Sequence, residues 1–543
     1  MQHRPYLLLL ILILGGLFFR FYNLFWGAPF YFHPDERNIA GAISQLKLPL
    51  QMNPHFFAYG SLPIYFSFFL GIISSFITEK SFQTFVSFEQ AIQSLRIISA
   101  VFSVLLIPLL YICGKKLQNN YTGLLAALFG ATSIGFIQFA HFGTFEMWLT
   151  LLSLLLFLVS LFYIRKPSLT LYFCLSLLFA LLVSTKVSSI ALLPLVLLPL
   201  LILRKHKTRW IRSSILSIGV LALTVVTVFL ITNPYAVLDY QSFRNSISYE
   251  TEVATGELSV FYTGEFFNTV PILFHIIHVY PFLLNPLLTM LFLPSFFLLI
   301  YLFIKNKRPE ILLLLLWFLF SFLPQTVLFV KWTRYVIPTL PFIYLIIALA
   351  LNEAGKKFHL LNFKYYKRLI QTGLFLTITI CILFAISYTY TSFVQKDTRV
   401  AAFTYAKNAI PSDARIVSEV YDLGITPFNE HFQSILLFNF YDLEHQEDSL
   451  MQLNSVLAST EYVILPSQRL LKSRLTDSEN FPLGYRFYTD LLQEKIGFRK
   501  IYETPCDVWC RITYWNDPIF AFEQTANIFD RPTVQIFQKD ETR

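Results

Sequence analysis

A polytopic α-helical membrane protein with a small polar C-terminal domain is the fold this sequence predicts, and three observations predict it. Of 543 residues, 55% are hydrophobic and 14% charged, with a mean hydropathy of +0.57; an ordinary soluble enzyme is far more polar. Apolar windows recur throughout the first 395 residues. Charge then divides the chain: residues 396–543 hold 15 Lys/Arg and 21 Asp/Glu, whereas the remainder holds 27 and 12. The net charge of +9 therefore reflects short basic membrane loops and predicts no nucleic-acid partner.

Eleven spans are expected, near 5–25, 95–113, 121–140, 147–164, 169–184, 187–203, 213–232, 282–304, 311–329, 335–351 and 369–392. Each is close to the roughly 20 apolar residues a spanning helix needs. The first resembles a secretory signal, but Ala28-Pro29-Phe30 is a poor cleavage site. Basic clusters follow every second helix: Lys115/Lys116, Arg165/Lys166, Arg204 to Arg212, Lys305 to Arg308 and Lys356 to Arg368. With the N-terminus, these loops hold 18 basic residues against two acidic ones, Glu310 and Glu353, which places them in the cytoplasm.

Leu62–Ile77 is apolar enough to pass for a further span. Counting it would put every later basic cluster outside, so an interfacial or partly embedded helix is expected instead. Two long non-cytoplasmic loops remain, 27–94 and 233–281. By parity residues 396–543 also lie outside the cytoplasm. They predict a small α/β or α+β domain with a helix at Val400–Asn408 and strands at Ala414–Ser418, Tyr462–Leu465 and Thr533–Phe537. Cys113, Cys174 and Cys381 fall in spans. Cys506 and Cys510, in the outer tail, are spaced for a local disulfide.

The first candidates for chemistry follow the first span, in Phe32-His33-Pro34-Asp35-Glu36. Adjacent carboxylates beside a bilayer are costly unless they face water, a cation or chemistry. Helix capping explains them too, since Pro and acidic residues suit a first turn. A carboxylate at the outer face is also placed to take a proton from an acceptor hydroxyl. His141 and Glu146 lie on the same side; with Asp35 and Glu36 they form a candidate set for a divalent cation. Lys186, Lys331 and Arg334 are basic residues on the acidic side. They either snorkel or hold a lipid phosphate. Arg96 is a candidate partner for a loop carboxylate. There is no Gly-rich phosphate loop, no H-E-x-x-H and no G-x-S-x-G.

In order along the chain, several motifs resemble C-type (GT-C) glycosyltransferases that use lipid-linked donors. The likeness is to bacterial relatives of protein O-mannosyltransferases and aminoarabinose transferases, glycosyltransferase family 39-like proteins. It rests on Phe32-His33-Pro34-Asp35-Glu36, Tyr59-Gly60-Ser61-Leu62-Pro63-Ile64-Tyr65, His141, Ser184-Thr185-Lys186, Thr232-Asn233-Pro234-Tyr235 and Lys331-Trp332-Thr333-Arg334-Tyr335-Val336-Ile337-Pro338. The resemblance covers most of residues 1–395, taken as the transferase domain, with 396–543 as a separate extracytoplasmic domain.

The resemblance implies a sugar transferred from a polyprenyl-phosphate carrier to a protein, lipid or glycan hydroxyl, in a bacterial cytoplasmic membrane. It implies Asp35 as the base with Glu36 as its partner, and Lys331, Arg334 and Lys186 near the donor phosphate. His33, His141, Glu146, Tyr59 and Tyr235 are further site candidates. Direct displacement with one base implies inversion at the anomeric carbon. A metal is left open, because cations beside a phosphate leaving group do similar electrostatic work. The competing reading is a solute transporter or lipid flippase. It sits poorly with spans that carry so few ionisable residues.

Overall fold

The computed structural model describes residues 4–80, 82–202, 207–359, 364–444 and 448–540. Among them, eight helices are long and apolar enough to cross a membrane, or nine if one bent pair counts as a single span. Every expected span falls on a helix, but length alone supports fewer than eleven. The expected 169–184 and 187–203 form the shorter apolar helices Leu169–Thr185 and Val187–Ile202, interrupted where Lys186 caps the first and a 3₁₀ turn starts the second. The basic clusters from Arg204 to Arg212 and from Lys356 to Arg368 lie partly outside the described residues. The chain is an integral membrane protein.

Helices Glu146–Arg165 and Thr333–Lys356 are the innermost, with 78% and 83% of their apolar windows buried, against 11% for Arg4–Phe21. The bent pair is Asn120–Ala131 and Ile134–Ala140, at 52°. Its bend has an identifiable cause, as sharp kinks do. The buried Arg20 guanidinium donates to the carbonyls of Gly130 (2.7 Å) and Ala131 (3.0 Å), freed at the break, and to the hydroxyl of Ser103 (2.7 Å). Ser133 caps the second half, accepting the Phe136 N–H and the Tyr344 hydroxyl.

Helix Leu62–Glu79 packs across one end of this bundle. Gly60, just before it, donates its N–H to Thr185 O (3.0 Å), and Ser61 donates to Asn233 Oδ1 (2.6 Å). Its middle, at Gly71, lies against Val86 and Ser94 at the start of helix Phe88–Leu117. Pairing of Lys47 with Gln51 and Phe85 closes the loop beneath it.

The C-terminal part is built on a five-stranded mixed sheet: β1 Arg415–Glu419, β2 Ser434–Phe438, β3 Tyr462–Leu465, β4 Phe498–Glu503 and β5 Gln535–Lys539. Its order is β2-β1-β3-β5-β4, with β1 parallel to β2 and β3, and β5 antiparallel to β3 and β4. Alternation along the strands serves two cores. Val417, Val463 and Phe537 face one cluster with Leu453 and Leu491, while Ile416, Ile464 and Ile536 face another with Ala402 and Phe428. The helix and three strands expected from the sequence occur within two residues of their positions; β2 and β4 were not expected. Cys506 and Cys510 are disulfide-bonded beside Asp507, which caps helix Val508–Tyr514.

Candidate active site

Where the C-terminal sheet domain meets the end of the bundle there is a cavity of about 520 Å³. Five parts of the chain wall it. His33, Asp35 and Tyr59 come from the first long loop, Glu146 from the start of its helix, Glu250 and Tyr262 from the second long loop, and Trp332 and Arg334 from a short helix at Thr333–Val336. The C-terminal domain supplies Tyr421, Arg469, Thr525 and Phe529.

Asp35 sits in the first turn of helix Pro34–Ser44, with Pro34 at its start and the His33 ring accepting the Glu36 N–H. Its carboxylate is ion-paired with Arg334. Burial alone would raise the Asp35 carboxyl. The Arg334 guanidinium, with smaller contributions from His33, Arg469 and Lys186, outweighs that and holds it below the ordinary aspartate value. Asp35 is thus ionised throughout the physiological range. Burial pushes His33 down to about 4, so the ring is neutral, packed 4.1 Å from Phe529.

Glu36, one residue on, points away from the cavity, because successive helical residues are about 100° apart. Arg96 grips it with two bonds, Nε to Oε1 at 2.6 Å and Nη2 to Oε2 at 2.7 Å, both side chains being fully buried. The Gly143 N–H donates to Glu36 Oε1 at 2.9 Å, and a Cβ on Gly143 would fall 2.5 Å from that oxygen. Arg96 spends its remaining donors on the carbonyls of Leu24 and Trp26. This carboxylate is fully occupied in holding the first loop to the bundle.

The other candidates separate in the same way. The ring nitrogens of His141 lie 2.8 and 3.0 Å from the carbonyl oxygens of Ile137 and Tyr22, and its ring stacks on Phe393 at 3.7 Å. Glu146 faces the cavity, and its Oε2 has no hydrogen-bond partner among the described residues. Lys186 lies over the rings of Tyr335 (4.3 Å) and Tyr59 (5.6 Å). Burial, aided by the nearby Arg334 charge, lowers its ammonium to about 8. Lys331 is buried, donates to Phe329 O and does not line the cavity. Tyr235 lines a separate apolar groove of about 460 Å³ with Leu62, Tyr65, Phe66 and Pro234. Next to its lining in sequence, Ser61 donates to Asn233 Oδ1, and Gly60 donates to the carbonyl of Thr185, the residue before Lys186.

The expected metal set does not converge. Arg96 occupies Glu36 and two backbone carbonyls occupy His141, leaving only Asp35 and Glu146 on the cavity. Among the described residues no three His, Cys, Asp or Glu side chains are grouped to hold an ion. No step is therefore routed through one.

Gly60 is where the first loop presses closest to the bundle. A Cβ there would fall 1.9 Å from Ser184 O, a backbone atom that cannot swing aside. Gly60→Ala is therefore expected to cost at least about 1–3 kcal/mol and to displace Tyr59 from Lys186. A lowered thermal midpoint in detergent would report it; an unchanged midpoint would show that the loop has slack.

Sequence reasoning did not find Arg469, Glu250 or the C-terminal residues that complete the cavity. Glu250 was legible only as an acidic residue on the outer side. Arg469 carried no signal, since a lone Arg in a domain of ordinary composition has no distinguishing pattern.

Comparisons with known proteins agree with this architecture. A family model described as dolichyl-phosphate-mannose-protein mannosyltransferase matches residues 75–232. No curated protein sequence matches the chain. Its fold is similar to those of solved glycan-transferring membrane enzymes. The Archaeoglobus fulgidus oligosaccharyltransferase in complex with Zn and sulfate superposes with a TM-score of 0.56 at 13% identity, over 98% of this chain and 88% of that one. The same enzyme tethered to an acceptor peptide gives 0.54 at 12%, over 99% and 89%. ArnT from Cupriavidus metallidurans bound to undecaprenyl phosphate gives 0.50 at 12%, over 99% and 98%.

Proposed function

We propose that this membrane protein of GT-C fold transfers a sugar, a hexose or pentose, from a polyprenyl-phosphate carrier to a hydroxyl on a protein, lipid or glycan. The observation that carries the reading is the pairing of Asp35 with Arg334 on the cavity, with Lys186 behind the cavity-lining Tyr59, together with a separate apolar groove. A base, two cations and a hydrocarbon slot are what a lipid-phosphate leaving group and a hydroxyl nucleophile require. Residues 1–395 carry the reaction and 396–543 roof it. The basic-loop bias supports a roof outside the cytoplasm, and the family resemblance supports a bacterial cytoplasmic membrane.

Asp35 and Arg334 neutralise each other at rest, which makes Asp35 a weak base. A donor phosphate competes for Arg334. As it draws the guanidinium away, Asp35 regains basicity beside the acceptor. Its carboxylate takes the hydroxyl proton while the acceptor oxygen bonds to the anomeric carbon. The bond from that carbon to the phosphate oxygen breaks, and its electron pair leaves on the polyprenyl phosphate, held by Arg334 and Lys186. Attack opposite the leaving group inverts the anomeric centre. Glu146, whose side chain lines the cavity, is placed to accept a sugar hydroxyl.

Lys186 gives this scheme a pH signature. Its ammonium, lowered to about 8, is charged below that pH and loses its charge above it. Donor kcat/KM, which reports the free enzyme, is expected to fall as pH rises through about 8. In Lys186→Arg the decline should vanish, because guanidinium stays protonated. An unaltered profile in that variant would remove Lys186 from donor binding.

The reading itself is tested with purified protein and synthetic polyprenyl-phosphate sugars, together with mass spectrometry of envelope glycans, glycolipids and proteins from cells with and without the gene. Release of polyprenyl phosphate coupled to a new glycoside is expected. Lipid movement across vesicles with no sugar transfer would overturn it in favour of transport.

A further inference from the structure

The turn that carries Arg334 is fastened from outside the bundle. Trp332 is extended, and Thr333 opens a four-residue helix whose first N–H groups have no acceptor within it. The acceptor is Glu523, from the C-terminal domain. Its Oε2 accepts both the Thr333 N–H (3.2 Å) and the Thr333 hydroxyl (2.5 Å). Its Oε1 accepts the hydroxyl of Thr525 (3.0 Å), which lines the cavity, and its own N–H donates to His278 O (3.0 Å).

Glu523 is 1% exposed, yet its hydrogen-bond donors are neutral. The nearby Lys472 is ion-paired with Glu265 of the second long loop, and Glu265 Oε2 accepts the Gln524 N–H (3.1 Å). A buried carboxylate is an expensive fastener. Burial and the neighbouring Glu265 push its carboxyl up to about 7, so what it contributes is an oxygen aimed at both the N–H and the O–H of one residue. That residue immediately precedes Arg334, whose side chain lies over Trp332 at 4.4 Å and whose Nε has no hydrogen-bond partner among the described residues. The C-terminal domain thus fixes the stem of a side chain whose guanidinium pairs with Asp35 on the cavity wall.

We propose that Glu523 is a positioning residue for the donor-phosphate site: by holding Thr333 it sets Arg334 where it can reach a polyprenyl phosphate. The C-terminal domain thereby governs donor affinity through a single turn, without touching the lipid. The proposal rests on the polyprenyl-phosphate reading above.

The test is equilibrium binding of undecaprenyl phosphate to the full-length protein in detergent, without turnover. Glu523→Ala is expected to weaken binding about tenfold while the protein stays monodisperse, with Glu523→Gln in between. Arg334→Ala should weaken it at least as much. Adding Glu523→Ala to Arg334→Ala should then change little, less than about twofold, because the first residue acts through the second. A merely structural role predicts losses that multiply in the double variant, and that result overturns the proposal; so does wild-type affinity in Glu523→Ala. If Glu523→Ala does not fold, Thr333→Val replaces it. An affinity loss of about threefold, absent in the Arg334→Ala background, is expected there, and unchanged affinity overturns. A wild-type protein that ignores the lipid overturns the underlying function instead, a separate outcome.

Discussion

Asp35→Asn is expected to lower kcat by about 10²–10⁴-fold, the usual span for loss of a general base. Its effect on donor binding should run the other way. The amide relieves Arg334 of its ion pair, so the guanidinium becomes free for phosphate and donor KM should hold or fall. This split separates proton removal from simple disruption of the cavity, which would raise KM as well. Asparagine is nearly isosteric and helix Pro34–Ser44 keeps its cap, so folding should survive. Steady-state kinetics with a synthetic donor, beside thermal unfolding of the same preparations, measure both. Normal turnover would take Asp35 out of the mechanism.

The second large effect falls on stability. Arg96→Ala leaves the Glu36 carboxylate buried with no counter-charge, and Leu24 and Trp26 lose their donor. Breaking one side of a fully buried pair costs about 3–5 kcal/mol, a large part of what holds a domain together. Expression, monodispersity and thermal midpoint should all fall. Replacing both partners, as in Glu36→Leu with Arg96→Met, should recover much of the loss, because no lone charge remains. That comparison also settles the role of Glu36. Wild-type stability together with lost turnover in Glu36→Gln would return it to the chemistry.

The dipeptide Asp35-Glu36 shows how far the sequence could be read. Its position after a span marked a site, but two neighbours on one helix look alike as letters. What separates them is rotation about the axis and an arginine 60 positions away. Arg96 was itself legible as a partner for some loop carboxylate. His141 looked like a polar turn residue facing the same water as Asp35. Its real partners are two backbone carbonyls, and no pattern of side chains reports those. The spans were legible because hydrocarbon demands long apolar runs. Helices such as Leu169–Thr185 sit at the margin of that rule.

In the C-terminal domain, Tyr462–Leu465 reads as a strand because it is β-branched and fully buried. Ser434–Phe438 and Phe498–Glu503 are the two edges of the sheet, and in the second the consecutive Arg499 and Lys500 are both exposed. Neither shows the alternation that marks a half-buried strand. Thr525 and Arg469 reach the cavity, and Glu523 the turn behind it, only through long-range folding, so composition could not single them out.

The cavity draws its walls from His33 at one extreme of the chain and Phe529 at the other. A ribosome must release the chain from His33 through Phe529 before those two rings can meet. Each newly made molecule is therefore expected to pass through insertion as an idle scaffold, with its proton acceptor exposed but uncovered. The chamber closes late, when the segment carrying Thr525 and Phe529 docks.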